Sequence, residues 1–156
     1  LADAHGKRLI LDGSRIIENA WFIRRHEPGQ ADREIADIVK QIAKTSHIFQ
    51  VDGAQDAKCN TGGLLSTDNP DDHEKFRNEV VVFEGLHTYG GMAGRTMEVL
   101  ARGLREMCDE DEVRWVMHQT ERFTDRLRSA GVPLERGCDG NSAANLFEID
   151  SCEMRR

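Results

Sequence analysis

Two residues of opposite charge, Asp12 and Arg15, follow a short apolar segment at 9–11. Such a segment is typical of a buried parallel strand, and functional groups often lie beyond the carboxyl ends of these strands. An aspartate there can pair with a protonated ring nitrogen, and an arginine can bind a phenolate or carboxylate through its fork of donors. A carboxylate that accepts backbone N–H groups and a surface arginine would give the same pattern, so both interpretations stay open.

A polar loop between two apolar segments contains Asp52, Asn60 and a pair of glycines at 62 and 63. The amide oxygen of Asn60 suits a cation or a turn, and the glycines allow close backbone approach or a positive φ. A connecting loop with no ligand has the same composition. The loop residues alone do not decide between these two interpretations.

Tyr89 is the only tyrosine, and it precedes a glycine pair and a predicted helix. Glycines at such a position can expose backbone N–H groups to an anion at the positive end of the helix. The phenol can donate a proton or pack against a ring. The segment lacks the G-x-G-x-x-G spacing of a dinucleotide site, and the alternative is a glycine-rich connection with a packing tyrosine.

Other kinds of chemistry have little support in the sequence. The six histidines show no metal-binding spacing, and no G-x-S-x-G motif is present. Glu84, which we place at the end of a strand, and Asp56 are candidates for acid–base work, although loop carboxylates are more often solvated. The net charge of −7 argues against nucleic acid or an anionic membrane surface as a partner.

Length and composition predict one soluble domain or a piece of a larger protein. The chain has 156 residues, and its apolar runs fall far short of the roughly 20 residues that a membrane span needs. We interpret the four scattered cysteines as reduced thiols and, with no secretory signal at the start, predict a cytoplasmic protein. The missing initial Met suggests a fragment.

Apolar segments that alternate along the chain predict an α/β fold. Helices are expected from an N-cap at Asp32 to residue 44, in a short segment after the turn at 68–72, at 93–107 and at 112–130. Strands are expected at 9–11, 47–51, from 62, at 80–83 and at 144–149. The alternation indicates a parallel sheet with right-handed crossovers.

Five blocks in order resemble the tyrosine phenol-lyase and tryptophanase family, whose members are pyridoxal-phosphate (PLP) β-eliminating lyases. The blocks are Asp12-Gly13-Ser14-Arg15, Glu18-Asn19-Ala20-Trp21-Phe22-Ile23, Asn60-Thr61-Gly62-Gly63, Val81-Val82-Phe83-Glu84-Gly85 and residues 89–98, which begin Tyr89-Gly90-Gly91. The resemblance implies the aspartate-aminotransferase fold (fold type I PLP enzymes). Residues 1–104 would end the large PLP domain, and residues 105–156 would start the C-terminal small domain.

The resemblance also implies roles for four residues. Asp12 would pair with the PLP pyridinium nitrogen, and Arg15 would lie beside the phenolic oxygen of the ring. Asn60 would help to bind a monovalent cation, usually potassium. Tyr89 would lie beside the leaving group of an amino-acid substrate. Family members form oligomers with sites shared between subunits, so a homo-oligomer, or completion by another chain, is expected.

The loop before Asn60 departs from the family pattern. Where the family has Ser, a small residue, Lys, Lys and Asp, this chain has Asp52, Gly53, Ala54, Gln55 and Asp56. The family's serine and first lysine hold the cofactor phosphate, and its second lysine forms the Schiff base. A carboxamide is not nucleophilic, so Gln55 cannot form that bond. Asp52 places a negative charge where the phosphate should lie, and Ala54 removes a positive one.

Two functions follow from this pattern. The chain is part of a β-eliminating lyase that gives pyruvate and ammonia from an amino acid and uses PLP without a covalent bond, or that lost its lysine by engineering. Alternatively, it belongs to a non-catalytic relative that acts as a binding or interaction subunit.

Overall fold

The computed structural model describes residues 2–132. A short 3-10 helix, Asp3–His5, is followed by three strands and five helices. The strands are β1 (Ile10–Asp12), β2 (Ile48–Asp52) and β3 (Gly63–Thr67), and the helices are α1 (Ile16–His26), α2 (Ile35–Ala43), α3 (Pro70–Phe83), α4 (Gly94–Glu106) and α5 (Glu110–Ser129). The predicted α/β class is therefore confirmed for this part of the chain. No helix within residues 2–132 is long and apolar enough to cross a membrane.

The three strands form one mixed sheet in the order β1-β2-β3. β1 pairs parallel to β2, and Asp12 lies opposite Gln50. β3 pairs antiparallel to β2, and Gly63 lies opposite Asp52. The prediction of an all-parallel sheet is thus wrong at β3. The loop at 53–62 is shorter than the dozen or more residues that a crossover usually needs, so the chain returns beside β2 in the opposite direction.

The apolar core of this sheet region comes from β2 and the two helices between β1 and β2. Ile35, Ile38 and Val39 of α2 are buried, which confirms the apolar face that the sequence predicts for this helix. Ile16, Ile17 and Ala20 of α1 are also buried, together with Ile48, Phe49 and Val51 of β2. Helix α1 was not predicted, because its apolar residues are mixed with Asn, Glu and Arg.

In both of these helices, N–H groups at the N-terminal end donate to carboxylates distant in sequence. Neither Arg15 before α1 nor Glu34 before α2 supplies a side-chain cap. The Ile35 N–H donates to Oε1 of Glu110 at 2.9 Å, and Oε2 of Glu110 lies 2.6 Å from Nη1 of Arg24. The predicted N-cap at Asp32 is therefore wrong, since α2 begins at Ile35 and its capping carboxylate lies far along the chain.

Replacing Glu110 by Ala is expected to lower the free energy of unfolding by about 1–2 kcal/mol. The variant leaves the buried Ile35 N–H without its acceptor and removes the partner of the Arg24 guanidinium. Urea denaturation measures the effect. Glu106→Ala is the matched control, because it removes only an exposed pair with Arg102 and should cost about 0.3–0.5 kcal/mol. Equal losses in the two variants would contradict the capping role.

The apolar run at 80–83 is helical rather than a strand. It forms the last turn of α3, which Asn69 caps by accepting from the N–H groups of Asp71 and Asp72, with Pro70 in the first turn. A short apolar run does not by itself distinguish a strand from a helix end, and here the Asn-Pro start governs the whole segment. Glu84 accordingly follows a helix, and its predicted place at a strand end is wrong. Val82 and Phe83 are 73% and 76% exposed.

The two later helices, α4 and α5, agree with the prediction within a few residues. Gly131, with φ of 79°, follows the end of α5, as the predicted glycine stop requires. The predicted strand at 144–149 lies outside the described residues. The chain divides into two compact units, Leu1–Glu110 and Asp111–Arg156. The predicted domain boundary after residue 104 stays a prediction.

Candidate functional site

The candidate site is built on the carboxyl ends of β1 and β2. The two strands are parallel, so Asp12 and Asp52 end at the same edge of the sheet, with Asp12 paired to Gln50. The Gly13 N–H donates to the Gln50 carbonyl at 2.8 Å and continues the pairing past Asp12. The sequence prediction that Asp12 leaves the end of a strand is therefore confirmed.

Asp12 is held in its ionised form by neighbouring donors. Its Oδ1 accepts from Oγ of Ser14 at 2.6 Å and from the Ser14 N–H at 3.0 Å. These bonds, together with one from the Gln50 side chain, lower the pKa of the Asp12 carboxyl below its usual range. The side chain is exposed. An ionised, accessible carboxylate of this kind can accept a hydrogen bond from a protonated ring nitrogen.

Arg15 adopts a left-handed backbone conformation at the turn between β1 and α1, with φ of 64° and ψ of 29°. Its N–H donates to Oδ2 of Asp56 at 2.8 Å. Its guanidinium lies 3.7 Å from the Glu18 carboxylate. The backbone of Arg15 is thus fixed by a residue of the loop that follows β2.

Asp56 is only 6% exposed, and its carboxylate caps α1 from the loop after β2. In addition to the Arg15 bond, Oδ1 accepts from the Ile17 N–H at 3.2 Å. Burial raises the pKa of the Asp56 carboxyl, and the bonds from backbone N–H groups oppose that rise. Asp56 is therefore a structural link between the two halves of the site, and an acid–base role for Asp56 or Glu84 stays a prediction.

Asp52 and Gln55 form a closed hydrogen-bonded turn where the resemblance places the cofactor anchor. Oδ1 of Asp52 accepts from the Ala54 N–H at 2.9 Å, and its Oδ2 accepts from Nε2 of Gln55 at 3.1 Å. Ala54 and Gln55 are exposed. The turn therefore offers an amide and a carboxylate, and neither can capture an aldehyde.

Helix α4 and the surrounding backbone brace this loop. The Gly53 N–H donates to the Gly62 carbonyl at 2.9 Å, and a Cβ on Gly53 would lie 2.6 Å from Sγ of Cys59. Ala57, Cys59 and Leu100 form a buried apolar cluster, with Met92 and Leu104 packed against it. A Cβ on Gly103 of α4 would meet the Ala57 carbonyl. The loop therefore has little room to change shape.

Asn60 and Tyr89 lie in the two segments that this packing joins. Asn60 is exposed in the loop, and among residues 2–132 no group of three or more His, Cys, Asp or Glu side chains could hold a metal. Tyr89 is 39% exposed in a turn before α4, and its carbonyl accepts from the Met92 N–H at 2.9 Å. A Cβ on Gly62 would lie 2.8 Å from Sδ of Met92, so Met92 packs against the end of the loop. Direct bonds thus join the Asp12–Arg15 turn to the 52–56 loop, whereas Tyr89 connects to that loop through Met92.

The glycine pair that the sequence offers as an anion site does not lie at the start of α4. Gly90 and Gly91 have positive φ, but α4 begins at Gly94 with Ala93 as its N-cap. A Cβ on Gly91 would meet the Glu84 carbonyl, so this glycine serves a close backbone approach. The close approach explains Gly91, and the positive φ of 53° favours glycine at Gly90.

The residues of this edge fit PLP, the cofactor that the resemblance implies, at one end only. Asp12 has the charge and exposure that a pyridinium nitrogen requires. At the other end Asp52 would face the phosphate dianion, and like charges about 4 Å apart repel by roughly 4 kcal/mol per unit pair near a protein surface. Gln55 supplies no amine. The ring end fits PLP, and the phosphate and anchor end does not.

Comparison with known proteins places the chain in a family. The sequence model of the β-eliminating lyase family matches residues 1–150. The chain is 39% identical over 142 residues to a tryptophanase of Hyphomonas neptunium, covering 91% of this chain and 31% of that protein. It is 40% identical over 134 residues to a tyrosine phenol-lyase of Nostoc punctiforme, covering 86% and 29%. The chain thus spans about a third of the length of these relatives, and it belongs to the β-eliminating lyase family.

Proposed function

We propose that this chain is part of a β-eliminating lyase homologue that keeps the ring end of a PLP site and has lost the covalent anchor. In this proposal the protein does not carry out elimination through a lysine-bound cofactor, and it serves as a non-catalytic binding or interaction subunit. The observation that carries the proposal is the hydrogen bond from Nε2 of Gln55 to Oδ2 of Asp52 at 3.1 Å. It joins an amide and a carboxylate at the two positions where the resemblance places lysine and serine.

The one lysine of this loop cannot replace the missing amine. Lys58 lies three residues after Gln55, and three residues of extended chain span about 10 Å. Lys58 also has a positive φ of 54° between the buried residues Ala57 and Cys59. Moving its amine into the place of Gln55 would require the braced loop to be rebuilt.

A second function keeps catalysis, and the ionised Asp12 carboxylate favours it. In that case the whole protein would be a PLP-dependent lyase that binds its cofactor without a covalent bond and releases pyruvate and ammonia from an amino acid. Arg15 would lie beside the ring oxygen, Tyr89 would face the leaving group, and Asn60 would contribute to a potassium site. These assignments come from the positions of the residues in the family motifs.

The domain arrangement belongs to the same proposal. Membership of the family supports residues 1–104 as the end of the large PLP domain of the aspartate-aminotransferase fold, and residues 105–156 as the start of the small domain. A homo-oligomer, or a companion chain that supplies the rest of the site, would complete the structure.

An activity assay separates the two functions. The full-length protein is supplied with PLP and potassium and tested with L-tyrosine and L-tryptophan, and pyruvate is measured with lactate dehydrogenase. We expect no pyruvate above the rate of PLP alone. Pyruvate release that requires the protein, and that falls when Asp12 is replaced by Ala, would establish the catalytic alternative instead.

A further inference from the structure

The Asp52 carboxylate accepts hydrogen bonds from donors of its own turn that could otherwise bind an anion. Its two oxygens take the Ala54 N–H at 2.9 Å and Nε2 of Gln55 at 3.1 Å. Bound phosphates are held by backbone N–H groups and side-chain donors of this kind. The donors that a phosphate group would need are therefore already bound to the negative charge of Asp52.

The turn that carries Asp52 has little freedom to release these donors. On one side Gly53 is bonded to Gly62 and packed against Cys59, so its backbone cannot shift outward without breaking that packing. On the other side the buried Asp56 is tied to the N–H groups of Arg15 and Ile17. The negative charge of Asp52 is thus a fixed feature of this end of the site.

We propose that Asp52 excludes the phosphate group, so that this site takes the unphosphorylated pyridine ring in preference to its 5′-phosphate ester. The inference rests on the proposed function, because it needs the ring to bind at Asp12. The same ring would bind through its nitrogen, and Asp52 would decide which substituent can lie at the other end.

Binding of pyridoxine and pyridoxine 5′-phosphate to the full-length protein tests this selection. The two probes differ only in the phosphate, and neither has an aldehyde that could react with an amine. We expect the protein to bind pyridoxine at least about tenfold more tightly than the phosphate ester. This ratio should shrink as salt is added, because screening weakens charge repulsion but not a steric effect.

Asp52→Asn should reduce the ratio by about tenfold and change pyridoxine binding by less than about threefold. Asp71→Asn is the matched control with the same change of charge. Asp71 lies at the start of α3, which follows the end of β3 whose Thr67 pairs with Ile48, so it is at the opposite edge of the sheet from Asp52. We expect the control variant to keep the ratio of the unaltered protein.

If the protein binds the two probes equally, and Asp52→Asn does not change this, then Asp52 does not exclude the phosphate. The proposed function would still stand. Failure of both probes to bind any variant would overturn the selection together with the ring end at Asp12. A stoichiometric PLP adduct on Lys58 of the unaltered protein would overturn both the proposed function and the exclusion of the phosphate, because this loop would then hold the phosphate ester.

Discussion

Full-length protein carrying Asp52→Ser, Ala54→Lys and Gln55→Lys together is expected to attach PLP covalently at residue 55, at about one cofactor per chain. The three changes return a hydroxyl donor and one positive charge to the phosphate end and an amine to the anchor position. Asp12 and Arg15 already lie at the adjoining sheet edge. Borohydride reduction followed by peptide mass spectrometry identifies the modified residue.

Variants with a single change should bind PLP much more weakly than the triple variant. Gln55→Lys restores the amine but leaves the Asp52 carboxylate facing the phosphate, so we expect PLP to bind at least about tenfold more weakly than in the triple variant. Lys58→Ala in the triple background is the control and should not reduce labelling. Labelling of Lys58, or no labelling of the triple variant when it is folded, would show that the loop does not align with the family anchor.

Replacing Asp56 by Ala is expected to lower the free energy of unfolding by about 2–4 kcal/mol. The carboxylate is only 6% exposed, and its loss leaves the Arg15 and Ile17 N–H groups without their acceptor. The effect extends to the site, because the left-handed backbone of Arg15 depends on this bond. Urea denaturation measures the stability, and pyridoxine affinity reports the position of the Asp12–Arg15 turn.

Asp37→Ala is the control for this variant and should cost less than about 1 kcal/mol, because Asp37 is exposed and lies 3.8 Å from Lys40. Asp56→Asn keeps one acceptor oxygen and should restore part of the loss. An Asp56→Ala protein as stable as the control variant would contradict the capping of α1 by Asp56.

The pH dependence of stability offers a check on the burial of Asp56. Its pKa is raised in the folded protein, so the folded state binds the proton more readily than the unfolded state. The part of the stability that comes from binding this proton is then present in acid and lost as the pH rises through the raised pKa, whereas the hydrogen bonds from the Arg15 and Ile17 N–H groups remain. We expect the stability of the unaltered protein minus that of Asp56→Asn to fall over this window and to stay level above it. A difference that rises with pH would contradict the raised pKa.

Sequence patterns predicted the elements with strong periodicity and missed those fixed by distant contacts. The apolar face of α2 and the helix α4 follow from residue spacing, which acts locally. The capping of α1 by Asp56 joins residues 39 and 41 positions apart, and no local pattern signals it. The prediction of a strand at 80–83 is wrong because four apolar residues fit a strand or a helix end equally well.

In the site, too, local sequence patterns predict the position of a residue, whereas contacts between elements determine its hydrogen bonds. Asp12 at a strand end was predictable because the apolar segment before it is short and ends abruptly. The hydrogen bond between Asp52 and Gln55 depends on the shape of the loop, which α4 and the glycine at 53 determine. Sequence alone therefore located the altered positions and could not show that they bind each other.

Position 55 gives the cofactor no covalent attachment, and borohydride trapping of the unaltered protein tests this property. Full-length protein is incubated with PLP, reduced, digested and analysed by peptide mass spectrometry. The peptide that contains Gln55 and Lys58 is expected to carry no reduced PLP, while exposed lysines elsewhere show only weak, nonspecific labelling. A stoichiometric PLP adduct on Lys58 would contradict the loss of the anchor, because it would show that this loop still supplies a reactive amine.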